Sequence, residues 1–173
     1  ERMAEDVLRA AGFVEGVSYR RQATMAGGRR PDFTFLLPQG LELNMDVKFP
    51  IDNYLRHLDA TTDAEREATR AAFLRDVRAR VKEITTRDYI EPGRTVDHVL
   101  LFIPNEAVYS FIHEADPTLI DYALAKKVVL CSPLALYSFL VVIRQATDSF
   151  HTEQTAASIM QQINKFNGQW QKY

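Results

Sequence analysis

The stretch Arg30-Pro31-Asp32-Phe33-Thr34-Phe35-Leu36-Leu37-Pro38-Gln39-Gly40-Leu41-Glu42-Leu43-Asn44-Met45-Asp46-Val47-Lys48-Phe49-Pro50 reads as a β-hairpin. Its arms, Phe33 to Leu37 and Leu41 to Phe49, are rich in apolar and aromatic side chains, and Pro38-Gln39-Gly40 between them has the Pro and Gly of a short turn. Side chains along a strand point to opposite faces with period two. Leu41, Leu43, Met45, Val47 and Phe49 therefore share one face, and Glu42, Asn44, Asp46 and Lys48 the other. On the first arm the same parity separates Phe33, Phe35 and Leu37 from Asp32, Thr34 and Leu36. A tight turn thus brings Asp32 beside Asp46 with Lys48 on the same face. Pro50, which cannot donate to a ladder, ends the second strand.

These residue types point to metal-assisted phosphodiester chemistry. A hard cation such as Mg²⁺ takes oxygen ligands, usually one or two carboxylates alongside water and substrate phosphates. Asp32 and Asp46 match that need, and a lysine two residues past a ligand can hold a water or the developing charge. The expected site is therefore Asp32, Asp46 and Lys48 as catalytic residues, with Mg²⁺ or Mn²⁺ as the cofactor on the two acids. Glu42 and Asn44 share the Asp46 face, and Gln22 can reach in from the preceding strand, so each can assist the metal. Two adjacent carboxylates resist joint ionisation and favour a cation or proton between them. The same pattern also fits a solvent-facing salt-bridge ladder of Lys48 with Asp46 and Glu42.

Gly28-Arg29-Arg30-Pro31-Asp32-Phe33 followed by Met45-Asp46-Val47-Lys48-Phe49-Pro50 resembles the core of the RmuC family of DNA recombination proteins, whose domain is similar to the PD-(D/E)xK nuclease fold. The resemblance extends to Leu8 to Phe13 with Tyr19 and Gln22, to Phe102-Ile103-Pro104-Asn105-Glu106, and to Val128-Val129-Leu130-Cys131-Ser132-Pro133. It covers most of the chain, to about Ile143. It implies a restriction-endonuclease-like α/β fold, a mixed sheet flanked by helices. It makes Asp32 and Asp46 the motif acids and Lys48 the motif lysine. Nucleases of this fold often add an acid from the opening helix, here Glu1 or Glu5, as a further metal ligand; Glu1 matches the family's Gly-Glu start. The family's name implies DNA as partner and recombination as setting, and the fold implies a deoxyribonuclease. A DNA-binding or scaffold domain that keeps the fold without cleavage is the alternative.

At 173 residues, 46% hydrophobic and 25% charged, the chain reads as one globular domain over residues 1–173. A net charge of −2 excludes an indiscriminate polyanion binder, so any DNA contact must be local. Arg20 and Arg21, with Arg29 and Arg30, flank the motif and are the expected DNA-binding residues. Arg75, Arg78 and Lys82 recur on one helix face, which Asp76 and Arg80 mark as a mixed-sign, solvated surface; Lys126 and Lys127 form a third patch. A single cysteine, Cys131, excludes an internal disulfide and suits a cytoplasmic setting, where its apolar strand makes it a small buried side chain. The first residue is Glu rather than Met, so an excerpt of a longer protein is expected. The resemblance adds an N-terminal membrane tether and a coiled coil outside this segment, and with them a homo-oligomeric or coiled-coil partner. This segment itself has no long apolar span and no expected membrane contact.

The remaining elements alternate as an α/β domain requires. A helix is predicted from about Glu1 to Ala11, and strands near Ser18 to Thr24 and His98 to Ile103. Thr62-Asp63-Ala64-Glu65 has the spacing of a capping box ahead of a long helix to about Ile84, with Leu74, Val77, Val81 and Ile84 on its buried stripe. Asn105 and Asp116-Pro117 start two further helices, Lys127 to Cys131 is an interior strand, and Ser132-Pro133 starts another helix. Thr152 to Trp170 reads as a last helix, peripheral to the domain. The histidines His57, His98, His113 and His151 lack zinc-ligand spacing, and neither a nucleophile elbow nor a phosphate-cradling glycine loop is present.

Overall fold

The hairpin quoted above forms, and the rest of the sheet is laid out from it. The computed structural model describes residues 1–170, with side chains described through residue 165; residues 171–173 of the single-domain expectation lie outside the described residues. Strands β1 (Tyr19–Arg21), β2 (Phe33–Leu36), β3 (Glu42–Asp46), β4 (Thr95–Phe102) and β5 (Val128–Cys131) form one sheet in that order. β1–β2 and β2–β3 are antiparallel, whereas β3–β4 and β4–β5 are parallel. Phe33 lies opposite Met45 and Thr34 opposite Asn44, so the next step of the register sets Asp32 against Asp46. The Pro38–Gly40 turn closes the hairpin with Gln39 and Gly40 both in the left-handed region, φ 63° and 75°.

Parallel pairs require crossovers, and helices supply them. α2 (Asp52–Asp59) and α3 (Asp63–Thr86) join β3 to β4, and α4 (Glu106–Ala115) and α5 (Pro117–Ala125) join β4 to β5; α1 (Arg2–Ala10) precedes the sheet and α6 (Pro133–Trp170) follows it. On one face Phe33, Phe35, Leu43 and Met45 pack with Leu8 of α1 and Leu136, Leu140 and Ile143 of α6. On the other, Val99, Leu101, Val128 and Leu130 pack with Phe73, Val77, Val81 and Ile84 of α3 and with Val108, Ile112 and Leu119 of α4 and α5. The period-two alternation thus splits the apolar residues between two cores. The expected mixed sheet flanked by helices is the observed architecture.

Three local expectations are corrected. The alternation was read through Phe49, but β3 ends at Asp46: Val47 joins the first core while Phe49 packs on Phe73 in the second, with ring centroids 6.3 Å apart. α2 occupies a stretch between Pro50 and the Thr62 cap for which no element is predicted above, and Tyr54 is its one buried residue. The separate helix predicted from Thr152 is the distal part of a continuous α6, whose side chains from His151 to Lys165 are all exposed.

Candidate functional site

The β2–β3 pairing delivers two carboxylates to one end of the hairpin. Asp46 is the last residue of β3 and only 1% exposed. Asp32 immediately precedes β2, and its Oδ2 accepts the backbone amide of Val47 at 2.8 Å. Burial lifts the Asp32 carboxyl above its ordinary value; the Val47 amide opposes that shift, and the charges of Asp46 and Glu1 add to it. Asp46 is held differently. Its Oδ1 accepts from Nη2 of Arg80 and from the Lys48 amide at 3.2 Å, and its Oδ2 accepts from Nη1 of Arg87 at 3.2 Å.

Both arginines come from α3 and the residue that caps its end. Arg80 is buried, and its other donors reach the Lys48 carbonyl at 2.7 Å and Oε2 of Glu83 at 2.6 Å. Arg87 also donates to Glu83 at 2.5 Å and to the Tyr89 hydroxyl at 3.2 Å. These two guanidiniums hold the Glu83 carboxyl below its ordinary value. Arg80, expected on a solvated helix face, is instead buried, and Arg87 is a site residue that no motif signals. The available signal was spacing: Phe73, Val77, Arg80 and Ile84 follow one another at three and four residues, so Arg80 stands on the apolar stripe. A cation on such a stripe needs a buried partner.

Lys48 lies two residues past the end of β3; its side chain is exposed and, among the described residues, pairs with no carboxylate. It lines an open cleft of about 640 Å³ with Phe49, Asp76, Ala79, Arg80 and Glu83. The solvent-facing ladder of Lys48 with Asp46 and Glu42 is therefore not what forms, since both acids are buried and have other partners. Glu42 sits at the far end of β3 between Arg20 at 3.0 Å and Arg94 at 3.1 Å. The Asn44 amide is spent on the Tyr89 carbonyl at 2.8 Å, and its oxygen accepts from Thr34 at 2.7 Å. Gln22 is exposed, with φ 44° and its backbone amide on the Asp32 carbonyl. Glu1 and Glu5 are drawn to Arg21, at 3.7 and 2.9 Å.

Of the four arginines expected on DNA, three are engaged by acids: Arg20 by Glu42, Arg21 by Glu1 and Glu5, and Arg29 by Asp88 and Glu91, each at 2.9 Å. Arg30 is exposed, bonds Thr24 at 3.0 Å, and has no carboxylate partner among the described residues. It lines a second cleft with Arg29, Arg87 and Tyr89. Arg78 pairs with Asp116 at 2.7 Å and Lys127 with Asp97 at 2.5 Å, so two of the other cationic patches are partly neutralised as well.

The donor chemistry suits a hard divalent ion. Among the described residues no group of three or more His, Cys, Asp or Glu side chains is placed to hold a metal. Asp32 and Asp46 would be the protein's whole contribution, which is the usual number for Mg²⁺, with water and phosphate oxygens as the remainder. In the arrangement seen, both oxygens of Asp46 face guanidiniums.

The fold and site define a class: a mixed α/β domain with two carboxylates at the end of a central hairpin, one closing β3 among arginines and one just before β2. The sequence matches the RmuC family over residues 1–173, and the chain belongs to that family. It is 32% identical over 165 residues to the DNA recombination protein RmuC of Escherichia coli K12, covering 92% of this chain and 35% of that protein. It is 33% identical over 162 residues to the RmuC homolog of Yersinia pestis, covering 88% and 33%, and 30% identical over 165 residues to that of Pseudomonas aeruginosa, covering 92% and 36%. The chain thus spans about a third of the length of the curated relatives it matches. No solved structure matches it significantly. No described helix is long and apolar enough to cross a membrane.

Proposed function

We propose that this domain acts on DNA in recombination, hydrolysing phosphodiester bonds with Mg²⁺ or Mn²⁺ held by Asp32 and Asp46. The observation that carries the reading is the meeting of these two carboxylates at the end of one hairpin, two residues before a lysine that faces an open cleft. When bound, the cation supplies charge neutralisation at the scissile phosphate and a water of lowered pKa. The chain's own residues do the rest. The Lys48 ammonium reaches over the cleft to steady a water or the charge developing on phosphate, and Arg30, which has no carboxylate partner among the described residues, offers its guanidinium to the neighbouring backbone phosphate. The names of the relatives, DNA recombination proteins, support DNA as the substrate class.

The test is cleavage of linear, nicked and branched DNA by purified protein with Mg²⁺ or Mn²⁺. Loss of cutting in Asp46→Ala and Lys48→Ala, with melting temperatures that show a folded domain, supports the enzyme. Absence of cutting by the wild type on every substrate overturns it.

One observation favours a second reading, a non-catalytic DNA-binding or scaffold domain: the Asp46 carboxylate is already neutralised by Arg80 and Arg87. In that case DNA binding falls with Arg30→Ala while Mn²⁺ up to millimolar concentration gives no heat on titration. Exposed Ile159, Met160 and Ile163 on the free part of α6 support a homo-oligomeric or coiled-coil partner in either reading.

A further inference from the structure

We propose that Arg80 is a positioning residue that controls entry of the cation: its guanidinium holds the Asp46 carboxylate and must turn toward Glu83 before a divalent ion can bind Asp32 and Asp46. This rests on the metal reading above.

The Arg80 side chain is buried at the edge of the cleft. Its three nitrogens are all engaged, Nη2 on Asp46, Nη1 on Glu83 and Nε on the Lys48 carbonyl. A buried guanidinium against a 1% exposed carboxylate does electrostatically what a metal ion would do there: it supplies a compensating positive charge within hydrogen-bond reach. Nη2 of Arg80 lies on Oδ1 of Asp46 while Arg87 takes Oδ2, so a divalent ion that binds Oδ1 displaces Arg80 and leaves Arg87 in place.

An alternative seat lies next to the present one. Glu83, on the same helix three residues on, already accepts from Nη1, and its side chain is 49% exposed at the edge of the cleft. Asp76 lines the same cleft, so the guanidinium can leave Asp46 without leaving its acidic neighbours. Because Nε is anchored on the Lys48 carbonyl, the exchange also moves the segment that bears Lys48. Cation entry and placement of the lysine are thereby linked through one side chain. Arg87 keeps its own contacts with Asp46 and Glu83 throughout.

Calorimetric Mn²⁺ titration of the whole chain tests this, with melting curves to report folding. Arg80→Gln should bind Mn²⁺ at least about tenfold more tightly than wild type, the order expected when a like charge leaves a shared carboxylate. Arg80→Lys retains the charge and should stay near the wild-type affinity. Glu83→Gln, an exposed change, removes the alternative seat and should weaken binding. A loss of structure would weaken binding in every variant, so the gain in Arg80→Gln is the deciding sign. Equal or weaker binding by folded Arg80→Gln overturns the role of Arg80 and leaves the metal reading standing. No binding by either wild type or folded Arg80→Gln overturns the metal reading itself. Should Arg80→Gln fail to fold, Glu83→Gln decides, and unchanged affinity there overturns the proposal.

Discussion

Asp32 and Val47 are joined by a hydrogen bond in which the Val47 amide donates to Oδ2 of Asp32 over 2.8 Å. The bond ties the residue before β2 to the residue after β3, so the open end of the hairpin is closed by a carboxylate rather than by a further ladder pair. It also fixes which way Asp32 faces, beside Asp46. Asp46 has two guanidinium partners, whereas Asp32 has no cation partner among the described residues.

That asymmetry sets a pH dependence. Burial first, and then the Asp46 charge, raise Asp32 above its ordinary 3.8, so the folded chain binds this proton more tightly than the unfolded chain. The Asp32 contribution to stability is therefore fully present below the ordinary value. It is lost as pH rises through the raised one, above which ionised Asp32 is a constant cost. Asp32→Asn keeps an acceptor for the Val47 amide and removes the charge. In chelator, urea unfolding at pH 7 should show it more stable than wild type, with the advantage shrinking toward about pH 4. A variant less stable than wild type at pH 7 would contradict this account.

Asn44 lies on the same strand face but serves the fold. Its buried amide joins Thr34 of β2 to the Tyr89 carbonyl, fixing the loop after α3 on the sheet. Asn44→Ala leaves a buried hydroxyl and a buried carbonyl without this partner. A loss of about 3 kcal/mol is expected, from about 1–3 kcal/mol per unsatisfied buried group. Equilibrium denaturation measures it. A loss below about 0.5 kcal/mol would show that water replaces the amide without cost.

Which parts of this were legible follows from the range of the interactions. The hairpin parity depends on residues a few positions apart, and it correctly set Asp32 against Asp46. The capping box at Thr62 is equally local, and both bonds form: the Glu65 amide donates to Thr62 Oγ1 at 3.2 Å, and the Thr62 amide to Glu65 at 3.3 Å. The continuity of α6 also has a local signal, no Gly or Pro between Leu134 and Phe166, which the expectation of a separate helix from Thr152 overlooks. Arg80 was not fully readable. Its place on the α3 stripe signals a buried partner, but that partner is Asp46, thirty-four positions away, and only the tertiary fold chooses it. Lys48 escaped for the opposite reason, because a period-two rule holds only while the strand continues and β3 stops at Asp46.

The second core turns on Phe73. It is fully buried, with the rings of Tyr54, Phe111 and Phe49 at 5.6, 5.7 and 6.3 Å. Through Tyr54 it is the seat of α2, which is further held by the tilted contact of the His57 ring with Phe111, centroids 4.8 Å apart. Phe73→Ala should cost about 3–5 kcal/mol. Phe73→Leu, which keeps most of the volume, should cost less than about 1.5 kcal/mol. Hydrogen exchange in the alanine variant should rise first at the amides of α2, and uniform protection across α2 and α3 would refute this local role.

Cys131 tests the first core from its sulfur. Burial chiefly, and the Glu106 charge to a lesser degree, push its thiol up to about 12. The thiolate is the reactive form, so the native protein should resist disulfide reagents at pH 8. Because the folded value lies above the ordinary 9.0, stability from this group is complete below 9.0 and falls as pH rises toward about 12, where the unfolded thiol ionises and the folded one does not. Labelling in mild urea should therefore proceed at the rate set by unfolding, in step with loss of the fluorescence and circular dichroism of the fold. A thiol that reacts fully within seconds in native buffer would mean that the seam between β5 and α6 opens without unfolding, and that the first core is not the closed layer that Leu136, Leu140 and Cys131 describe.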